Sequence, residues 1–216
     1  MKRLALLYLY LLAVPVVSQS APSVPPASSG FKWSMEFERP GLTLPWWKIA
    51  READGSTVFT ARREDALPPP SSTFIMSAAT SVKLEALLRS SHGMQPCETK
   101  AKNLANMGMK TVIFTTDGTS ATCAFNYSDN KPLLQVADIG QAIALTLESG
   151  AELARLHRYD RLGLDKEMIN LSKAAAEGNA LELQSIAETL RSIAADTHVL
   201  DRVRVKAVHL LELASN

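Results

Sequence analysis

Polar and apolar positions alternate strictly from Phe31. Phe31, Trp33, Met35 and Phe37 interleave with Lys32, Ser34, Glu36 and Glu38, a period of two that places the first set on one face of a strand. Pro40-Gly41 ends it. Residues 46–53 and 56–62 flank Asp54-Gly55 and read as a hairpin, because a two-residue turn needs positive φ at both centres. That turn would set Arg51 opposite Val58, Ile49 opposite Thr60 and Trp47 opposite Arg62. Residues 67–72 (LPPPSS) are a loop, 73–79 a further strand, and 81–89 a short helix with Val82, Leu84, Leu87 and Leu88 as its apolar positions. A second hairpin joins 110–116 to 119–127 through Asp117-Gly118, with Val112 and Phe114 opposing Cys123 and Ala121.

After Asn130 the period changes to three and four. Ile139, Ile143, Leu147, Gly150 and Ala154 lie along one face of a long helix over about 133–157. Leu164, Met168, Leu171 and Ala175 form a shorter one, closed by Gly178. Asn179 with Glu182 suits the start of the next, whose seam is Leu183, Ile186, Leu190 and Ile193. Asp196 or Thr197 would cap a last helix, with Leu200, Val203, Ala207, Leu210 and Leu211 facing inward. The fold class is therefore α+β: N-terminal antiparallel β-hairpins with one short helix, then a C-terminal bundle of about four helices packed on the sheet. A β-rich region over 31–129 meets a helical region over 130–216, as one continuous domain or as two.

The N-terminus changes the context of the rest. Lys2 and Arg3 precede an apolar run from Leu4 to Val17, and Ser18-Gln19-Ser20-Ala21 follow. This is the layout of a secretory signal peptide over 1–20. The run is shorter than the ~20 residues of a membrane span, so no stable span is expected after cleavage. Residues 21–30 are a Pro/Ser linker. The chain of 216 residues carries a formal charge of +1; loss of Lys2 and Arg3 leaves about −1. With no basic field, a nucleic-acid partner is not expected.

Export changes how Cys97 and Cys123, the two cysteines, are read. An even, small number in an oxidising compartment points to a disulfide. Two free thiols are the alternative. A redox pair has closer spacing, such as C-x-x-C, and a metal site needs more ligands than two sulfurs. Neither a metal nor a cofactor is expected.

Candidate chemistry is sparse. His92, His157, His198 and His209 form no H-x-x-x-H or H-E-x-x-H. There is no G-x-S-x-G, P-loop or G-x-G-x-x-G. His157 and Asp160 lie three residues apart in a charged junction with Arg158 and Arg161; a general base oriented by a carboxylate is one reading, and a helix end favouring cations is the other. Trp46 and Trp47 are adjacent, so in a strand they point to opposite faces. An outward indole there, near Arg62 or Arg63, would suit a protein or glycan partner; packing beneath the 68–70 prolines is the alternative. Asn126-Tyr127-Ser128 and Asn170-Leu171-Ser172 match the N-glycosylation acceptor pattern of a eukaryotic secretory protein. The leading expectation is a secreted or periplasmic non-catalytic interaction protein using Trp46, Trp47 and Arg62. The alternatives are a hydrolase of unrecognised type near His157 and Asp160, and a structural component of an envelope or assembly.

Overall fold

The computed structural model describes residues 31–62 and 70–215. The expected signal peptide, the linker, Arg63 and the first two loop prolines lie outside the described residues. Six strands are followed or interrupted by five α-helices in the order β1 Lys32–Glu38, β2 Trp46–Arg51, β3 Ser56–Arg62, β4 Ser71–Ile75, α1 Ala78–Ser90, β5 Met109–Thr116, β6 Thr119–Phe125, α2 Lys131–Tyr159, α3 Leu164–Ala176, α4 Ala187–Ala195 and α5 Asp201–Ala214. A 3-10 turn, Leu183–Ile186, leads into α4. The strands form one antiparallel sheet in the order β4-β3-β2-β1-β5-β6. The α+β reading holds, with four α-helices and one 3-10 turn in the C-terminal half.

Parity decides which side of the sheet is covered. Trp33, Met35, Phe37, Trp47, Ile49, Phe59, Val112, Phe114, Cys123 and Phe125 all point the same way and are buried. They share one apolar cluster with Leu84 and Leu88 of α1 and with Val136, Ile139 and Ile143 of α2. The long helix comes so close to the sheet that a Cβ on Gly140 would sit 2.4 Å from the sulfur of Met35. A larger residue there would force the buried Met35 side chain to move.

The first hairpin has a different register from the one its Asp-Gly suggests. Arg51 faces Thr57, Ile49 faces Phe59, Trp47 faces Ala61 and Trp46 faces Arg62. The loop has three residues, not two. The N–H of Glu52 donates to the carbonyl of Ser56 and that of Gly55 to Glu52, with Gly55 at φ +88°, the turn-plus-bulge alternative for hairpins. Asp54 favours it by accepting from both the N–H and the hydroxyl of Ser56. The shift matters because it aligns apolar with apolar across the strands. The second hairpin matches expectation: Asp117 and Gly118 have φ of 52° and 75°, and Val112 faces Cys123.

Three helix and strand boundaries also move. Strand β4 is Ser71–Ile75, because Ser77 caps α1 through the N–H of Thr80. A helical segment does begin after Glu182, as the 3-10 turn Leu183–Ile186, but Asn179 and Glu182 form no capping box there. Glu182 is left-handed at φ 62°, and its carboxylate accepts from the N–H and hydroxyl of Ser77 at 2.8 Å each. The N-terminus of α1 takes the carboxylate that a local capping box would have used. Neither Asp196 nor Thr197 caps α5, which begins after Leu200 without a side-chain cap; Leu200 itself is 48% exposed rather than inward.

Two clips hold the long loop 91–108 against the sheet and α2. One is the disulfide Cys97–Cys123, a sequence separation of 26, which stabilises by roughly 3–4 kcal/mol on the chain-entropy model. The other is Asn130. Its Oδ1 accepts from the N–H of Leu133, capping α2, and its Nδ2 donates to the carbonyls of Ser91 and Gln95 at 2.8 and 2.9 Å. Aspartate is normally as good a cap as asparagine. Here it would turn two donated bonds into carboxylate–carbonyl repulsion. Asn130→Ala is expected to cost about 2–3 kcal/mol, and Asn130→Asp at least as much; denaturant melts of the three proteins measure both.

Candidate functional site

The outward side of the sheet lies open, and the strand pairings align it in rows. The middle row is Thr73, Val58, Ala50, Ser34, Ile113 and Thr122, one residue from each strand. It carries no charge. Val58 and Ile113 are each 37% exposed and flank a floor of small residues, Ala50 and Ser34. On the side of the hairpin turns the next row contains Ile75, Ser56, Glu52, Lys32, Thr115 and Ser120, with Ile75 68% exposed at the edge. On the other side it contains Ser71, Thr60, Lys48, Glu36, Thr111 and Ala124. A depression of about 260 Å³ lies over Lys32, Ser34, Lys48, Ala50, Glu52 and Ile113.

The charges on this face are organised. Lys32 Nζ lies 2.9 Å from Glu52 Oε2, and that hydrogen bond raises the ammonium pKa. The indole N–H of Trp46 donates to Glu36 Oε1 at 2.8 Å, and the Arg62 guanidinium lies 5.6 Å from the indole centroid. Trp46 is thus half-buried and held at its edge and its face, a preorganised aromatic on an open sheet. Trp47 points inward, 5% exposed, and stacks on Phe37 with centroids 5.4 Å apart. Of the three residues read as ligand-binding, Trp46 and Arg62 are together on the open face and Trp47 is in the core.

His157 and Asp160 sit at the end of α2. The His157 ring meets Asp196 instead, Nε2 to Oδ2 at 3.0 Å. An ionised carboxylate only accepts, so Nε2 carries the proton. Asp196 also accepts from the N–H of His198 at 2.9 Å and faces Arg161 at 3.2 Å. Asp160 accepts from the N–H of Gly163 at 3.4 Å and closes the helix end. None of the described cavities is lined by His157 or Asp160.

Two buried cations escaped the sequence reading. Arg51 donates to the carbonyls of Phe31 and Glu52 and lies 4.6 Å from the Phe31 ring centroid; burial lowers its pKa, opposed by the charge of Glu85. Lys110 donates to the carbonyls of Gly108 and Asn126 at 3.0 and 3.2 Å and approaches the rings of Phe37 and Phe125. Burial lowers its pKa, and Asp138 opposes that. Both occupy inward positions of alternating strands, which was the available signal. Both are consumed by main-chain carbonyls and act as structural posts.

Asn126 of the first glycosylation pattern is likewise engaged, donating to the carbonyl of Ala105 and accepting from the N–H of Met107. Asn170 of the second is exposed on α3. Among the described residues no group of His, Cys, Asp and Glu is placed to hold a metal ion, and no helix is long and apolar enough to cross a membrane. No protein-family model matches this chain, and no curated protein matches it.

The Asp196 cluster gives a pH prediction. The His198 N–H, then the His157 ring, lower the Asp196 pKa to about 2, against an ordinary value of about 3.9 in the unfolded chain. The folded state therefore prefers the ionised form. Its contribution is complete above about pH 4 and is lost as pH falls through about 2. The stability difference between the native protein and Asp196→Asn is expected to shrink as pH falls from about 4 toward about 2, read from urea melts at each pH.

Proposed function

We propose that this protein is an exported, non-catalytic interaction protein and that the open face of its sheet is the contact surface. The observation that carries this reading is Trp46, held between Glu36 and Arg62 on a face with a charge-free middle row. Orienting one indole in advance lowers the entropy lost on contact. A row of Val, Ala, Ser, Ile and Thr supplies shallow apolar area without an unpaired buried charge. The disulfide suits an oxidising compartment, in keeping with a signal peptide at the N-terminus. The partner classes that fit are a protein surface and a glycan, since aromatic stacking serves both.

The interaction reading is preferred to a hydrolase because none of the described cavities is lined by His157, Asp160 or Asp196. The test is binding of the mature chain to a glycan array and to proteins of the native extracytoplasmic fraction. Trp46→Ala is expected to weaken the binding found by about tenfold or more, with the fold retained by circular dichroism. Binding unchanged by Trp46→Ala and by Ile113→Lys rejects this face. Trp47→Ala is no substitute, because it removes a core side chain at a cost of about 3–5 kcal/mol.

A further inference from the structure

We infer that the occupant of the open sheet face is a second copy of this chain, packed sheet on sheet about a two-fold axis lying along the middle row. This rests on the reading of that face as the contact surface and names its partner. The observation is the order of charges on either side of the row. In β1, Lys32 stands two residues before Ser34 and Glu36 two residues after. Lys48 of β2 stands two residues before Ala50, and Glu52, just past the end of β2 and bonded to Ser56, two residues beyond it. Each strand crosses the row with opposite charges on its two sides, and the two strands do so with opposite signs.

A rotation about the row exchanges its two sides while keeping each strand column in place. Lys32 then lies over the partner's Glu36, and Glu52 over the partner's Lys48. Symmetry repeats both contacts, as an isologous interface requires. Val58 meets the partner's Val58 and Ile113 the partner's Ile113 on the axis. Of the remaining positions, Thr60 over the partner's Ser56, Thr111 over the partner's Thr115 and Ala124 over the partner's Ser120 are small and uncharged, and at the β4 edge Ser71 lies over the partner's Ile75, which is exposed. Sheets packed face to face lie about 10 Å apart, a gap that the valine and isoleucine fill and that Lys and Glu span. A second axis, along the strands, would lay Lys32 over the partner's Glu52 and Glu36 over the partner's Lys48, and move Val58 onto Ile113 and Thr73 onto Thr122. Charge exchange separates the two axes, because under the second one positions 48 and 52 face the partner's Glu36 and the partner's Lys32, and two variants altered there do not rescue one another.

The covered face spans five strand spacings, about 24 Å, by about 20 Å. That corresponds to roughly 500 Å² per copy and roughly 1,000 Å² in all, the lower bound of a specific interface. A reversible, concentration-dependent dimer is therefore expected rather than an obligate one. Trp46, one row further out, lies at the rim of this interface.

Sedimentation equilibrium of the full mature chain and its variants tests the geometry. The native protein is expected to show a monomer–dimer equilibrium. Lys48→Glu sets Glu against Glu twice, and Glu52→Lys sets Lys against Lys twice; each alone is expected to weaken self-association by about tenfold or more. Mixed in equal amounts, these two variants are expected to form a heterodimer of about native affinity, because every facing pair is again opposite in charge. The double variant Lys48→Glu, Glu52→Lys is expected to recover self-association. Ile113→Lys on the axis abolishes it. Thermal melts establish that each variant is folded. A native chain that stays monomeric at roughly 0.5 mM, above the micromolar range such an area supports, overturns the proposal. So does a dimer indifferent to these charges, or single variants that fail to rescue one another. A monomer that binds another partner through Trp46 and Ile113 overturns self-pairing while leaving the proposed contact surface standing. A monomer whose binding to other molecules ignores both residues rejects the two together.

Discussion

The structure depends on one constraint: a strand has two faces, and this sheet has apolar side chains enough to bury only one. Every strand gives large apolar side chains to the side of α2, Phe74 doing so for β4. The helix can lie close because Gly140 has no side chain against Met35. Once that side is closed, the other must be made of short, branched and charged residues that tolerate water. The open face is thus a consequence of the core, and its rows are set by the same registers that align Ile49 with Phe59 and Val112 with Cys123.

Polar groups then decide how the two halves of the chain are joined. Asn130 caps α2 and holds the carbonyls of Ser91 and Gln95. Glu182, between α3 and α4, caps α1 through Ser77, 105 residues earlier in the chain. Asp196 draws the α4–α5 connection onto the end of α2 through His157. In each case the side chain bonds groups distant in sequence: Asn130 the two carbonyls, Glu182 the N–H and hydroxyl of Ser77, and Asp196 the His157 ring. The helical half is therefore fastened to the sheet by a few specific groups as well as by area.

The buried cations follow the same economy. Arg51 and Lys110 occupy inward strand positions that alternation assigns to apolar residues. Their charges face main-chain carbonyls and aromatic rings, and their aliphatic stems fill the core between. What the fold does present to solvent is the face on which Lys32, Glu52, Lys48 and Glu36 alternate around uncharged residues.

Local pattern determined a good deal here. The period-two run from Phe31, the Asp117-Gly118 hairpin, the long helix after Asn130 and the opposed directions of Trp46 and Trp47 were legible, because each depends on neighbours a few residues apart. The pairing of Cys97 with Cys123 was legible from count and expected compartment. The first hairpin's register was not, since Asp-Gly serves both a two-residue and a three-residue loop and only the burial of Phe59 against Ile49 selects one. The targets of Glu182 and Asp196 were hidden for a similar reason: each had a local role on offer, and distant donors won. The rows of the open face needed most from tertiary structure. Alternation assigns Ser34, Ala50, Val58 and Ile113 to an outward side, but only strand order and register, which are long-range pairings, bring them into one line.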